Sequence, residues 1–123
     1  MQAKKPSRTA LGAAFHRAAH QVLEHGRICT DPLALRILGV DADTVVRYEE
    51  QNPSRRRMRI FIAVRTRFAE DALAAAVERG ARQLVVLGAG LDTYAYRGGA
   101  ATQNVGANSV RPWPSAARPY GAP

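Results

Sequence analysis

With 123 residues, 46% of them hydrophobic, the chain has room for one domain and no apolar run long enough to span a bilayer. One cysteine excludes an internal disulfide and suits a reducing compartment, and no apolar stretch follows Lys4-Lys5-Pro6 as a secretory leader would require, so a soluble cytoplasmic protein is expected. The net charge of +8 admits an acidic partner, but all ten acids lie between Glu24 and Asp92, interspersed with the arginines, which argues against a simple nucleic-acid binder.

In chain order, Ser7 is the N-cap of a helix over 8–25, with Leu11, Phe15, Ala18, Ala19, Val22 and Leu23 on one stripe and Gly26 just past its end. His16 and His20 stand four apart on that helix. A metal pair would need a third ligand, and Cys29 lies beyond the helix end, so no metal is expected and both read as surface histidines. Cys29 itself reads as a small buried residue, since no base is arranged for it.

Pro32 opens a second helix over 32–38, ended by Gly39. Asp41 or Asp43 caps a third over 43–51, and Asn52-Pro53-Ser54 is a break followed by a new cap. A fourth helix, 55–79, begins with Arg55-Arg56-Arg57-Met58-Arg59. That cluster reads as a solvated face with Glu49 and Glu50 as counter-charges.

At helical spacing Met58, Phe61, Ile62, Phe68, Ala69, Ala72, Leu73 and Ala76 share one stripe, and Arg65 lies in its middle. A cation centred on an apolar face needs an anion. An internal carboxylate and a ligand carboxylate both fit, as does a guanidinium that snorkels out to water.

Gly80 is followed by Gln83-Leu84-Val85-Val86-Leu87, too short for a helix and without alternation, hence a strand over 83–87 buried on both faces of a parallel α/β sheet. It ends in Gly88-Ala89-Gly90-Leu91-Asp92-Thr93. Glycines there allow a tight turn and close backbone approach to a ligand at the carboxyl end of a strand. A nucleotide-like cofactor site and an ordinary strand-ending turn fit this pair equally. From Gly98 to Pro123 no Leu, Ile, Met, Phe, Asp, Glu or Lys occurs, so the chain divides into a folded part, 1–97, and a disordered tail, 98–123. One strand cannot make a sheet, so apolar faces are expected to stay exposed and to drive self-association.

Ala63-Val64-Arg65-Thr66-Arg67-Phe68, the run Gly80 to Thr93 and Ala95-Tyr96-Arg97 resemble the bacterial S-adenosyl-L-methionine-dependent methyltransferases related to leucine carboxyl methyltransferases. Ser7-Arg8-Thr9-Ala10 and Asp31-Pro32 resemble that family's N-terminal helical region. Tyr94 departs from the pattern, where the family commonly has arginine. The resemblance implies the helical region, first strand and glycine turn of a Rossmann-like class I methyltransferase fold. It implies S-adenosyl-L-methionine as cofactor, Arg65 on its methionine carboxylate, and Gly88, Ala89 and Gly90 lying along it. Asp92 would support either the turn or the ligand.

The family continues into a second strand ending in an acid that meets the ribose. No acid follows Asp92 here, so an incomplete fold, truncated or out of frame from near Gly98, is expected. The implied chemistry is methyl transfer to a small-molecule or carboxylate-bearing acceptor, without membrane or nucleic acid. Two alternatives stand beside it. A dinucleotide-binding module would use the same turn, though Thr93 replaces the third glycine. A basic nucleic-acid-binding module would use the charge.

Overall fold

The structure, a computed structural model, describes residues 5–97 and 103–107. Helix α1 (Arg8–Leu23) is central and packs against α2 (Ala34–Leu38), α3 (Ala42–Glu50) and α4 (Arg56–Glu78). Small side chains make that possible: Ala14, Ala18 and Ala19 are fully buried and let the neighbouring helices come close. The core joins Ala14 and Ala18 to Ala34, Leu38 and Leu91, with Leu11, Phe15, Leu35, Ile37 and Val40 packed around it.

Two predicted caps are present. Ser7 Oγ accepts from the Ala10 amide at 3.1 Å, and Asp41 Oδ1 accepts from the Thr44 amide at 2.7 Å; each contributes about 1 kcal/mol. Boundaries shift where a side chain diverts the backbone. Helix α1 stops at Leu23 because His25 and Gly26 are both left-handed, with φ of 54° and 64°. At Gly26 a Cβ would lie 2.6 Å from Gln21 Oε1, so a side chain there would displace the Gln21 amide. Pro32 lies in a turn before α2, because Asp31 Oδ1 captures the Leu33 amide at 2.9 Å. Ser54 caps nothing: Pro53–Arg55 forms a 3₁₀ turn that runs directly into α4.

The inner face of α4 differs from the predicted stripe. Arg59, Ile62 and Ala63 are buried, with Thr66, Glu70, Leu73 and Val77 half-buried behind them. Arg59 turns inward because Glu24 and Glu49 await it, and Ala63 permits close contact with α1. Met58, Phe61 and Phe68 are left 50%, 57% and 74% exposed, and Arg65 is exposed among them. Of the readings open for Arg65, an internal carboxylate partner is not seen among the described residues and the guanidinium reaches solvent.

Strand β1 (Gln83–Leu87) pairs in parallel with β2 (Gln103–Ala107), in register from Gln83 opposite Gln103 to Leu87 opposite Ala107. Two expectations are corrected here. A second strand exists, and 103–107 is not disordered; the peptide groups it turns toward β1 are satisfied by the ladder although its sequence has only Val105 to favour a strand. The rest of the predicted tail, 98–102 and 108–123, lies outside the described residues. One face of β1 is open, since Val85 is 55% and Leu87 81% exposed, while Leu84 and Val86 on the other face are only half-buried. A pair of strands without helices on both sides leaves a run of this kind bare. Among the described residues no helix is long and apolar enough to cross a membrane.

Candidate functional site

The strand delivers Leu87 into a turn in which Gly88 and Gly90 adopt φ of 64° and 54°, a region unfavourable to other residues. The Asp92 amide donates back to Ala89 O at 2.8 Å and closes the turn. A Cβ on Gly88 would meet nothing within 4 Å, so the outer side of the turn is open. Gly90 differs: its would-be Cβ lies 3.1 Å from the Ala10 Cβ, so the inner side rests on α1. Asp92 Oδ1 accepts from the Tyr94 amide at 2.7 Å and starts the short helix α5 (Tyr94–Arg97). Of its two expected roles, supporting the turn is visible.

Beyond Asp92 the turn is fastened by a buried polar cluster. Arg17 donates to Leu91 O at 2.5 Å. Thr93, 1% exposed, donates through Oγ1 to Asp31 Oδ2 at 2.6 Å, and Asp31 is itself 2% exposed. Arg97 donates to Thr93 Oγ1 at 2.9 Å, lies 3.4 Å from Asp31 Oδ1, and pairs with Glu70 of α4. Burial lowers the Arg17 pKa. Asp92 and Asp31 oppose that shift, while Arg97 and Arg65 add to it. No hydrogen bond or ion pair engages Arg65 among the described residues.

Sequence reasoning missed Arg17, Asp31, Thr93, Arg97 and Glu70 as a group. The cluster is assembled across 62 residues between Asp31 and Thr93, and no local pattern announces such a contact. The one signal was that Asp31, Thr93 and Arg97 fell inside the segments carrying the family resemblance.

The histidines are not on the surface. His16 is 7% and His20 1% exposed. His20 Nε2 accepts from the Ile28 amide at 3.2 Å, so its Nδ1 donates to Glu24 Oε2 at 3.1 Å. The ring replaces a missing backbone partner in the loop after α1, which is a structural role. Cys29 is buried as expected, and burial, helped by Glu70, raises its thiol pKa and keeps it unreactive. No three metal-ligating side chains come together among the described residues.

His16 Nδ1 has no partner among the described residues, and burial lowers its pKa, with Arg55 and Arg59 adding to the shift and Glu49 opposing it. A lowered pKa means that the unfolded chain takes up the proton first. Stability is complete above the ordinary value of 6.5 and declines as pH falls below it. Thermal unfolding followed from pH 7.5 to 5 is therefore expected to show a falling midpoint. In His16→Leu the slope should flatten, with little change at pH 7.5, because an apolar group there leaves nothing unsatisfied.

The sequence profile of a family described as leucine carboxyl methyltransferase matches residues 10–105. Among curated proteins, one from Parafrankia sp. (strain EAN1pec) is 44% identical over 61 residues, which cover 50% of this chain and 16% of that protein. One from Frankia alni is 38% identical over 95 residues, covering 72% of this chain and 33% of that protein. One from Mycobacterium marinum is 37% identical over 106 residues, covering 79% of this chain and 31% of that protein. All three are named, provisionally, as S-adenosyl-L-methionine-dependent methyltransferases. The chain spans a third or less of the length of these relatives. No solved structure matches it.

Proposed function

The chain belongs to the leucine carboxyl methyltransferase family, and from that premise we propose that it carries the S-adenosyl-L-methionine-binding start of a Rossmann-like methyltransferase. The observation that carries the proposal is the glycine turn, open on the outer side of Gly88, together with an exposed arginine, Arg65, that no carboxylate engages among the described residues. Both features suit a zwitterionic ligand. A guanidinium fork receives a carboxylate through two parallel bonds, and a turn free of Cβ atoms lets the ligand lie against the backbone.

In this reading Arg65 holds the methionine carboxylate. Gly88, Ala89 and Gly90 line the cofactor, and Asp92 keeps the turn in shape. When bound, the cofactor supplies a methyl group activated by its sulfonium. The acceptor is a small molecule or a carboxylate-bearing group. A carboxylate is already ionised at neutral pH, so a nucleophile of that kind needs no general base from the chain. Alignment is then the main contribution of the protein.

Calorimetric titration of the intact chain tests this. Saturable binding of S-adenosyl-L-methionine is expected, with no comparable response to NAD. A preference for NAD would transfer the turn to a dinucleotide, and a silent titration with both would end the cofactor assignment.

The uncovered side of α4 is proposed to associate with itself. Met58, Phe61, Val64 and Phe68 are each at least half exposed, and burying a phenylalanine contributes about 1.5–3 kcal/mol. Light scattering of the wild type should therefore show species larger than a monomer. Phe68→Glu should weaken that association by roughly tenfold or more.

A further inference from the structure

We propose that Glu70, Arg97, Thr93 and Asp31 form a spacer that fixes the distance between Arg65 and the glycine turn. The inference rests on the cofactor reading above and assigns positioning roles to residues that touch no ligand in it. Glu70 stands on α4, five positions after Arg65, and pairs with Arg97 at the far end of α5. Arg97 donates through Nε to Thr93 Oγ1 at 2.9 Å, and that hydroxyl donates to Asp31 Oδ2 at 2.6 Å. Asp31 is pinned from its own side. Its other oxygen accepts from the Leu33 amide at 2.9 Å, and its amide donates to Gln21 Oε1 at 2.9 Å.

The chain of bonds is continuous from the helix that bears Arg65 to the residue that ends the turn. Asp31 and Thr93 are buried almost completely, where a broken polar link cannot be replaced by water. Arg17 adds a second grip, on Leu91 O, and the Gly90 contact with Ala10 sets the depth. Burial alternates along the turn: Leu91 and Thr93 face inward, while Gly88 is left open. The network thus holds the turn by the residues that a ligand would not use. A carboxylate bound by Arg65 and a ligand body lying on Gly88 belong to one molecule, so a displacement of α4 against the turn costs affinity even when both ends are intact.

The test is a double-mutant cycle on the full chain, with affinity for S-adenosyl-L-methionine read by calorimetry and folding checked by circular dichroism. Thr93→Val and Arg65→Lys should each weaken binding by about tenfold, and together by little more than either alone, because the valine acts through the position of the guanidinium. Thr93→Ser keeps the hydroxyl and should bind within about twofold of wild type. Glu70→Gln, at the less buried end of the chain, should reproduce the loss seen with valine and covers the case in which Thr93→Val does not fold. Strictly additive losses, or full affinity in both Thr93→Val and Glu70→Gln, would overturn the spacer and leave the cofactor assignment standing. A wild type that does not bind S-adenosyl-L-methionine would overturn both.

Discussion

Replacing Arg59 with alanine should unfold, or nearly unfold, the helical part of the chain. Its side chain is 7% exposed and joins three helices: Nε lies 3.0 Å from each oxygen of Glu24 at the end of α1, and Nη1 pairs with Glu49 of α3. Truncation leaves two carboxylates without their shared cation: Glu49, 3% exposed, keeps only Arg55, and Glu24 keeps only His20. Breaking a buried pair by removing one partner costs about 3–5 kcal/mol. Small domains hold only about 5–15 kcal/mol in all.

Acid sensitivity should change with it. Burial alone would raise the Glu24 pKa, but the hydrogen bonds from Arg59 and His20 outweigh burial and lower it. That contribution is present above the ordinary value of 4.5 and lost as pH falls below it. Urea unfolding at pH 7 should show the large loss in Arg59→Ala. Whatever folded Arg59→Ala remains should show a weaker decline in acid. An Arg59→Ala variant as stable as wild type would mean that Arg55 and His20 suffice for the two acids.

The second large effect concerns binding and not stability. Arg65→Ala should weaken S-adenosyl-L-methionine binding by roughly 10- to 100-fold, the value of a hydrogen bond to a charged group at about 1.5–3 kcal/mol. The unfolding midpoint should hardly move, since an exposed residue outside any ion pair changes stability by only about 0.5 kcal/mol. Lysine at this position should fall between the two, keeping the charge and losing the fork. Affinity equal to wild type in Arg65→Ala would assign the carboxylate to another cation and return Arg65 to the solvent-facing reading.

What could be read in the sequence was what neighbours in the chain decide. Ser7 and Asp41 cap the helices they precede, and Leu84–Leu87 with two following glycines makes a strand and a left-handed turn. Long-range pairing is what could not be read. Glu49 was legible as a counter-charge of the arginine cluster, but Arg59 looked like part of a solvated face because its other partner, Glu24, is 35 residues away and the helix had to rotate to meet it. That rotation carried Phe61 and Phe68 outward and Arg65 with them. His16 and His20 looked like a surface pair because polar spacing on a helix does not reveal which loop will fold over it. Strand β2 escaped notice for a different reason: Gln103-Asn104-Val105-Gly106-Ala107 has almost no intrinsic strand preference, and the ladder from β1 supplies what the residues do not. The glycine turn was legible and the polar cluster behind it was not.

The link between Thr93 and Asp31 has a kinetic consequence as well. Closing so long a stretch of chain is entropically unfavourable until α1 and α4 already form a surface to receive it. Refolding should therefore pass through early helix association and finish with capture of the glycine turn. By the same ordering, β1 amides near Gln83 should exchange with deuterium sooner than the Leu91 and Thr93 amides.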